Sequence, residues 1–268
     1  MLPDFLADIS INYASVRPNM HGAVSRGVLW EAAPGRFLLE APDTARYLVE
    51  DGMRVTIASS PQADEADVLR FLRMTPLAAL LFQRGVFAFH AAAVAGPDGA
   101  ILIAGDSGTG KSTLLAALLK RGWCFLADDL SAVDVNENGV PTVFPVFPEV
   151  TLRPDSMKEL KIETTEQGRQ VLPMEDRFAV SPQPLRAIYR LSVHKEDVET
   201  DDIKGTKLFN TLTMLSYNSR IADVLLDRSA YMRLATVIAK AVSVRTLRRP
   251  RGRWCIDELA DIVEGECR

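Results

Sequence analysis

The stretch Gly105-Asp106-Ser107-Gly108-Thr109-Gly110-Lys111-Ser112 decides how this chain is read. It satisfies G-x-x-x-x-G-K-[ST] without a mismatch. The apolar run at 100–104 predicts a short buried strand before it. The run at 113–120 predicts a helix after it, ended by Gly122. Strand, glycine-rich loop and helix form the context in which this pattern cradles phosphate. Small residues let backbone N–H groups turn inward around an anion. The N-terminus of the helix adds the positive end of its dipole. The expected nucleotide-binding set is therefore Gly105, Asp106, Ser107, Gly108, Thr109, Gly110, Lys111, Ser112 and Thr113. Lys111 is placed to reach the β- and γ-phosphates, and the Ser112 hydroxyl to hold Mg²⁺.

Working outward, Trp123-Cys124-Phe125-Leu126-Ala127 predicts a second apolar strand, and it ends in Asp128-Asp129. Asp128 lies 17 positions after Lys111, which is one helix plus one strand. A carboxylate at the C-terminal end of a strand beside a phosphate loop is where a Mg²⁺ ligand or a base belongs. Asp is also common where a strand opens into a turn, so the pair takes its meaning from the loop beside it. On the other side, residues 86–94 predict a buried strand carrying His90, turned back into the loop strand by Pro97-Asp98-Gly99. By itself a lone His in such a run reads as a hydrogen-bonded core residue.

These residues carry a resemblance. His90, the run at 105–112, Lys120-Arg121-Gly122 and Leu126-Ala127-Asp128-Asp129 resemble the catalytic core of HPr kinase/phosphorylase. They look most like the HPr-kinase-like proteins of bacterial peptide-modification clusters, lasso-peptide kinases among them. The wording Gly-x-Ser-Gly-Thr-Gly-Lys is also similar to ATP-dependent phosphoenolpyruvate carboxykinase. The match covers about residues 86–132 and weakens toward the C-terminus.

The resemblance implies an α/β fold, with a P-loop core sheet of the HPr-kinase/phosphoenolpyruvate-carboxykinase kind and flanking helices. A small β-rich N-terminal region with a helical linker, residues 1–85, would precede a kinase domain at 86–268. It implies ATP and Mg²⁺ as cofactors and a serine of a protein or peptide as acceptor, the most specific candidate being a lasso-type precursor peptide. It assigns Asp128 as the base and Asp129, with Ser112, as metal ligands. His90 would line the phosphate site, and Lys111 would act on the transferred group. The family's downstream Glu-Ile-Arg-Gly motif is represented only by Glu149-Val150-Thr151-Leu152-Arg153, which departs from it. That puts a reverse phosphorylase activity in doubt. Arg153 reads equally as a phosphate contact or as a surface residue. A non-catalytic nucleotide-binding regulator and a small-molecule kinase remain the alternatives.

The rest of the chain sets bounds. A net charge of −4 argues against bulk affinity for nucleic acid. No apolar run approaches the roughly 18–20 residues of a membrane helix, and Asp4 and Asp8 do not suit a signal peptide. Three cysteines without metal-ligand spacing read as reduced thiols, which places the protein in the cytoplasm. The family forms hexamers, but nothing in this sequence decides its oligomeric state.

Residues 9–16, 28–32, 36–40 and 54–58 predict strands, 42–49 one or two helical turns, and 63–84 helix with Thr75 as an N-cap before Pro76. Residues 155–183 read as a flexible lid or substrate loop. The acidic run at 196–202 reads as a solvated loop. Arg245, Arg248, Arg249, Arg251 and Arg253 lie within nine residues. They read either as a basic loop offsetting that acidic run or as a surface that pairs with phosphates or an acidic substrate. Residues 207–214, 230–241 and 254–264 predict helices, the last amphipathic.

Overall fold

Alternation marks one strand of the first 60 residues clearly. In Ala45–Glu50 the residues Ala45, Tyr47 and Val49 are buried and their neighbours are not, which is the period of a strand with one covered face. A strand forms there in place of the expected helical turns. The turn that precedes it has Asp43 at φ 59°, a left-handed conformation that Asp tolerates. The computed structural model, which describes residues 3–152, 154, 157 and 170–266, divides into two mixed α/β units. One comprises Met1–Ala88 with Ser216–Arg233; the other comprises Phe89–Leu215 with Leu234–Arg268.

The first unit holds a six-stranded sheet. Its order is Ser10–Tyr13, Arg54–Ser59, Ala45–Glu50, Arg36–Ala41, Trp30–Ala33 and Ser25–Arg26. All pairs are antiparallel except the first. Two helices follow. Glu65–Leu72 is capped by Asp64, which accepts the Ala66 N–H at 2.9 Å. Thr75–Gln83 begins one residue earlier than expected: Met74 is its N-cap, without a side-chain hydrogen bond, and Pro76 sits inside the first turn. The missing N–H of Pro76 costs nothing there. Tyr47, buried in the sheet, donates to Val68 O at 2.8 Å and ties sheet to helix. Ser219–Leu225 joins this unit from far along the chain, packing on Thr75–Gln83 and Trp30–Ala33. The Arg220 guanidinium lies 5.3 Å from the Trp30 ring centroid.

The second unit is built on a larger sheet. Ala91–Gly96 and Gly99–Ala104 form a hairpin, and Cys124–Ala127 pairs antiparallel with Ala91–Gly96. Two reversals make Cys124–Ala127 run the same way as Gly99–Ala104. Gln183–His194 lies parallel to Gly99–Ala104 on one side and parallel to Ser243–Pro250 on the other. The C-terminal ends of these four strands therefore share one end of the sheet, where α/β proteins bind ligands. The predicted strand at 86–94 is broken at His90, whose N–H donates to Leu215 O at 2.8 Å.

The helix Lys111–Lys120 covers this sheet. Its Leu114, Leu115, Leu118 and Leu119 share a core with Ile103, Tyr189, Leu247 and the C-terminal helix residues Ile256, Leu259 and Val263. Of the acidic run, Glu196 and Asp197 lie in an exposed bend as expected, but the four residues after Val198 do not form a loop. Glu199–Asp202 is an edge strand antiparallel to Ser243–Pro250, with Glu199 opposite Arg248 and Asp202 opposite Arg245. Cross-strand pairs of opposite charge stabilise such an edge. Arg153 and, of the expected lid segment, residues 155, 156 and 158–169 lie outside the described residues.

Candidate functional site

The loop leaves the strand Gly99–Ala104 at a point no side chain could occupy. Gly105 has φ 141°, and a Cβ there would stand 2.3 Å from the Leu191 carbonyl oxygen of the neighbouring strand. Gly110, at φ 107°, is the left-handed N-cap of the helix Lys111–Lys120 and offers no side-chain cap. The first turn of a helix leaves amide N–H groups without intrahelical acceptors. An anion at this end meets those amides and the positive end of the dipole. Thr109 closes the loop by donating its hydroxyl to Asp106 O at 2.8 Å. Lys111 is buried, and its Nζ donates to Gly105 O at 2.7 Å and Asp106 O at 3.3 Å. Left-handed glycines, an uncapped helix start and a buried ammonium fit a phosphate group.

Asp128 follows the strand Cys124–Ala127 at the same end of the sheet. Its Oδ2 accepts the Thr151 N–H at 2.8 Å, and its Oδ1 accepts the Asp129 N–H at 3.1 Å. The Ser112 hydroxyl stands 3.5 Å from Oδ1, a long contact. Asp128 keeps some accessible surface, but its carboxylate is closely enclosed. Burial, and next the charge of Asp129, push its pKa up to about 7, against the two amide hydrogen bonds and Lys111. Asp129 is exposed and has φ 60°. Asp tolerates that left-handed conformation, as Asp43 does at φ 59°. Ser112, Asp128 and Asp129 offer one hydroxyl and two carboxylates, a hard-oxygen set of the kind Mg²⁺ takes.

His90 faces a cavity of about 180 Å³ with Gly105, Asp106, Ser107, Arg190, Met214 and Leu215. Burial, and next the Lys111 charge, push the imidazole below its usual range, while Asp129 and Asp106 pull it back. His90, the loop, Lys111, Ser112 and the two aspartates thus come together at one end of one sheet. Glu149, in the strand Glu149–Leu152, is exposed; what that strand contributes is the Thr151 amide on Asp128.

Two arginines at this end were not singled out by the sequence reading. Arg190 is half-buried and lies opposite Ala104 in register, directly beside the loop. The run at 185–193 also carries Arg186, which donates to Asp98 O instead, so its sequence alone could not select Arg190. Arg249 donates from Nε to Thr109 O at 2.6 Å and from Nη2 to Gly108 O at 3.4 Å. It was one of five arginines in the basic stretch, and spacing could not select it. Three of the others serve elsewhere: Arg245 pairs with Asp202 at 3.0 Å, Arg248 with Glu199 and Asp201, and Arg253 with Glu258 at 3.0 Å.

No protein-family model matches the chain, and none of the curated proteins does. Among solved structures, the chain is similar to the HPr(Ser) kinase/phosphatase from Coxiella burnetii. The identity is 14% over 66% of this chain and 88% of that one, with a TM-score of 0.37.

Proposed function

We propose that this protein is an ATP- and Mg²⁺-dependent phosphotransferase that moves the γ-phosphoryl group to a serine hydroxyl of a protein or peptide. A lasso-type precursor peptide is the most specific acceptor in this reading, and the cytoplasm its compartment. The reading rests on one juxtaposition: the hydroxyl after the loop lysine lies 3.5 Å from a carboxylate whose pKa is pushed up to about 7. Mg²⁺, when bound, supplies charge that stabilises the phosphate oxygens in transfer.

Residues 105–113 would bind the triphosphate through their amides. Lys111 would leave the Gly105 and Asp106 carbonyls and reach the β- and γ-phosphates. Ser112 and Asp129 would hold the metal. Asp128 would accept the hydroxyl proton as the acceptor oxygen bonds to phosphorus and the oxygen bridging to the diphosphate departs. His90, with its pKa pushed down, would be a neutral hydrogen-bonding group in the cavity beside them. Positioning and electrostatics carry most of such a reaction.

Lys111→Ala should lower phosphoryl transfer at least about 100-fold and leave the circular dichroism spectrum unchanged. A variant that labels substrate at the wild-type rate refutes this site. Mass spectrometry of a host lysate incubated with the protein and ATP would identify the acceptor.

A further inference from the structure

Arg249 stands apart from the other arginines of its stretch. In the strand Ser243–Pro250 it follows Leu247 on the same face, and Leu247 shares a core with Leu114, Leu115 and Leu118 of the helix after the loop. Among the described residues no carboxylate pairs with it. Its guanidinium instead donates to the carbonyls of Thr109 and Gly108, and from Nη1 to its neighbour Pro250 O at 3.4 Å. A Cβ at Gly110 would lie 3.4 Å from Arg249 Nε, so the side chain seals the outside of the loop. A planar trans peptide points its C=O and N–H in opposite directions. Holding the Thr109 carbonyl outward therefore turns the Gly110 N–H inward.

We propose that Arg249 is a positioning residue that braces the loop 105–110 from outside, fixing the Thr109–Gly110 peptide in its phosphate-facing orientation before any nucleotide arrives. The proposal rests on the phosphotransferase reading for its purpose, but the brace itself belongs to the nucleotide-free protein. The strand carrying Arg249 is held by the acidic edge strand, through Glu199 and Asp201 on Arg248 and Asp202 on Arg245. The brace is thereby fixed to the sheet rather than to a flexible tail. A guanidinium presents two donors in one plane, which a lysine ammonium cannot reproduce.

The test compares wild type with Arg249→Ala and Arg249→Lys, using Arg253→Ala as the control. Hydrogen exchange is measured in nucleotide-free protein, and ATP affinity and steady-state kinetics are measured separately. Arg249→Ala should speed amide exchange in the peptide covering 105–113 about 10-fold while leaving the strand Gly99–Ala104 protected. It should weaken ATP binding about 10-fold and raise the KM for ATP more than it lowers kcat. Arg249→Lys should recover part of the protection, and Arg253→Ala should match wild type. Unchanged loop exchange in Arg249→Ala overturns the brace. If ATP affinity falls while exchange stays the same, Arg249 touches nucleotide directly and the brace is equally refuted. If the wild-type protein binds no nucleotide, the phosphotransferase reading fails, and the exchange comparison still decides the brace.

Discussion

Asp128 shows what a single buried carboxylate costs and what it supplies. Its ordinary pKa of 3.8 rises to about 7 in the fold. Between those values the folded state holds a proton that the unfolded state has released. Stability from this group is therefore full below pH 3.8 and is lost as pH rises through 7. Asp128→Asn removes the charge, and its amide NH2 meets one of the two backbone N–H donors that the carboxylate accepts, a cost that is the same at every pH. In EDTA-treated protein, its stability relative to wild type should rise by roughly 2 kcal/mol between pH 4 and pH 8. Thermal melts across that range measure it, and a constant difference would show that the carboxylate is not the cause. The same variant should lose at least about 100-fold in phosphoryl transfer. A relative gain in stability at high pH with a loss in rate is the trade expected where an enclosed charge serves chemistry. The adjacent pair was visible in the sequence. The Thr151 amide that orients Asp128 was not, because it comes from 23 residues further on.

At the scale of elements, the helix Lys111–Lys120 is the part on which the site depends. Its apolar residues recur nearly all round, as befits a helix covered by sheet on one side and the helix Ile256–Glu266 on the other. The C-terminal end of that contact is ionic. Arg121 pairs with Asp257 at 3.3 Å, Asp261 at 2.6 Å and Glu264 at 3.0 Å, and Trp123 Nε1 donates to Glu264 at 3.2 Å. Its side chain is 24% exposed and its partners more so, so each pair is worth little alone. Arg121→Ala should lower unfolding free energy by about 1 kcal/mol in chemical denaturation, and less in high salt. A loss that is indifferent to salt would assign the effect to packing of the arginine stem instead. The helix itself was legible from local signals, a glycine at each end and leucines between. Its partner helix was legible as amphipathic, but not as the cover of this particular helix.

Across the whole molecule, the chain crosses back on itself. Ser216–Arg233 belongs with Met1–Ala88, although some 130 residues of the other unit intervene. Ile221 is fully buried in that returning segment. Ile221→Ala should cost about 2–4 kcal/mol. Hydrogen exchange should show the loosening in the strand Trp30–Ala33 and the helix Thr75–Gln83, with the strand Gly99–Ala104 unaffected. Loosening confined to Gly99–Ala104 would contradict the division. By itself the sequence determined what is local: a loop whose glycines alone tolerate its left-handed turns, the helix it opens, and two carboxylates one strand away. Hydrogen bonding and backbone sterics act over a few residues, so those features can be read from neighbours. Only the tertiary structure decided that residues 45–50 pair as a strand, that the acidic run zips against Arg245 and Arg248, and that Arg249 alone of its stretch reaches the loop, 140 residues away. Those outcomes depend on strand register, which is set by burying apolar faces between segments far apart in the chain, and no local pattern encodes that choice.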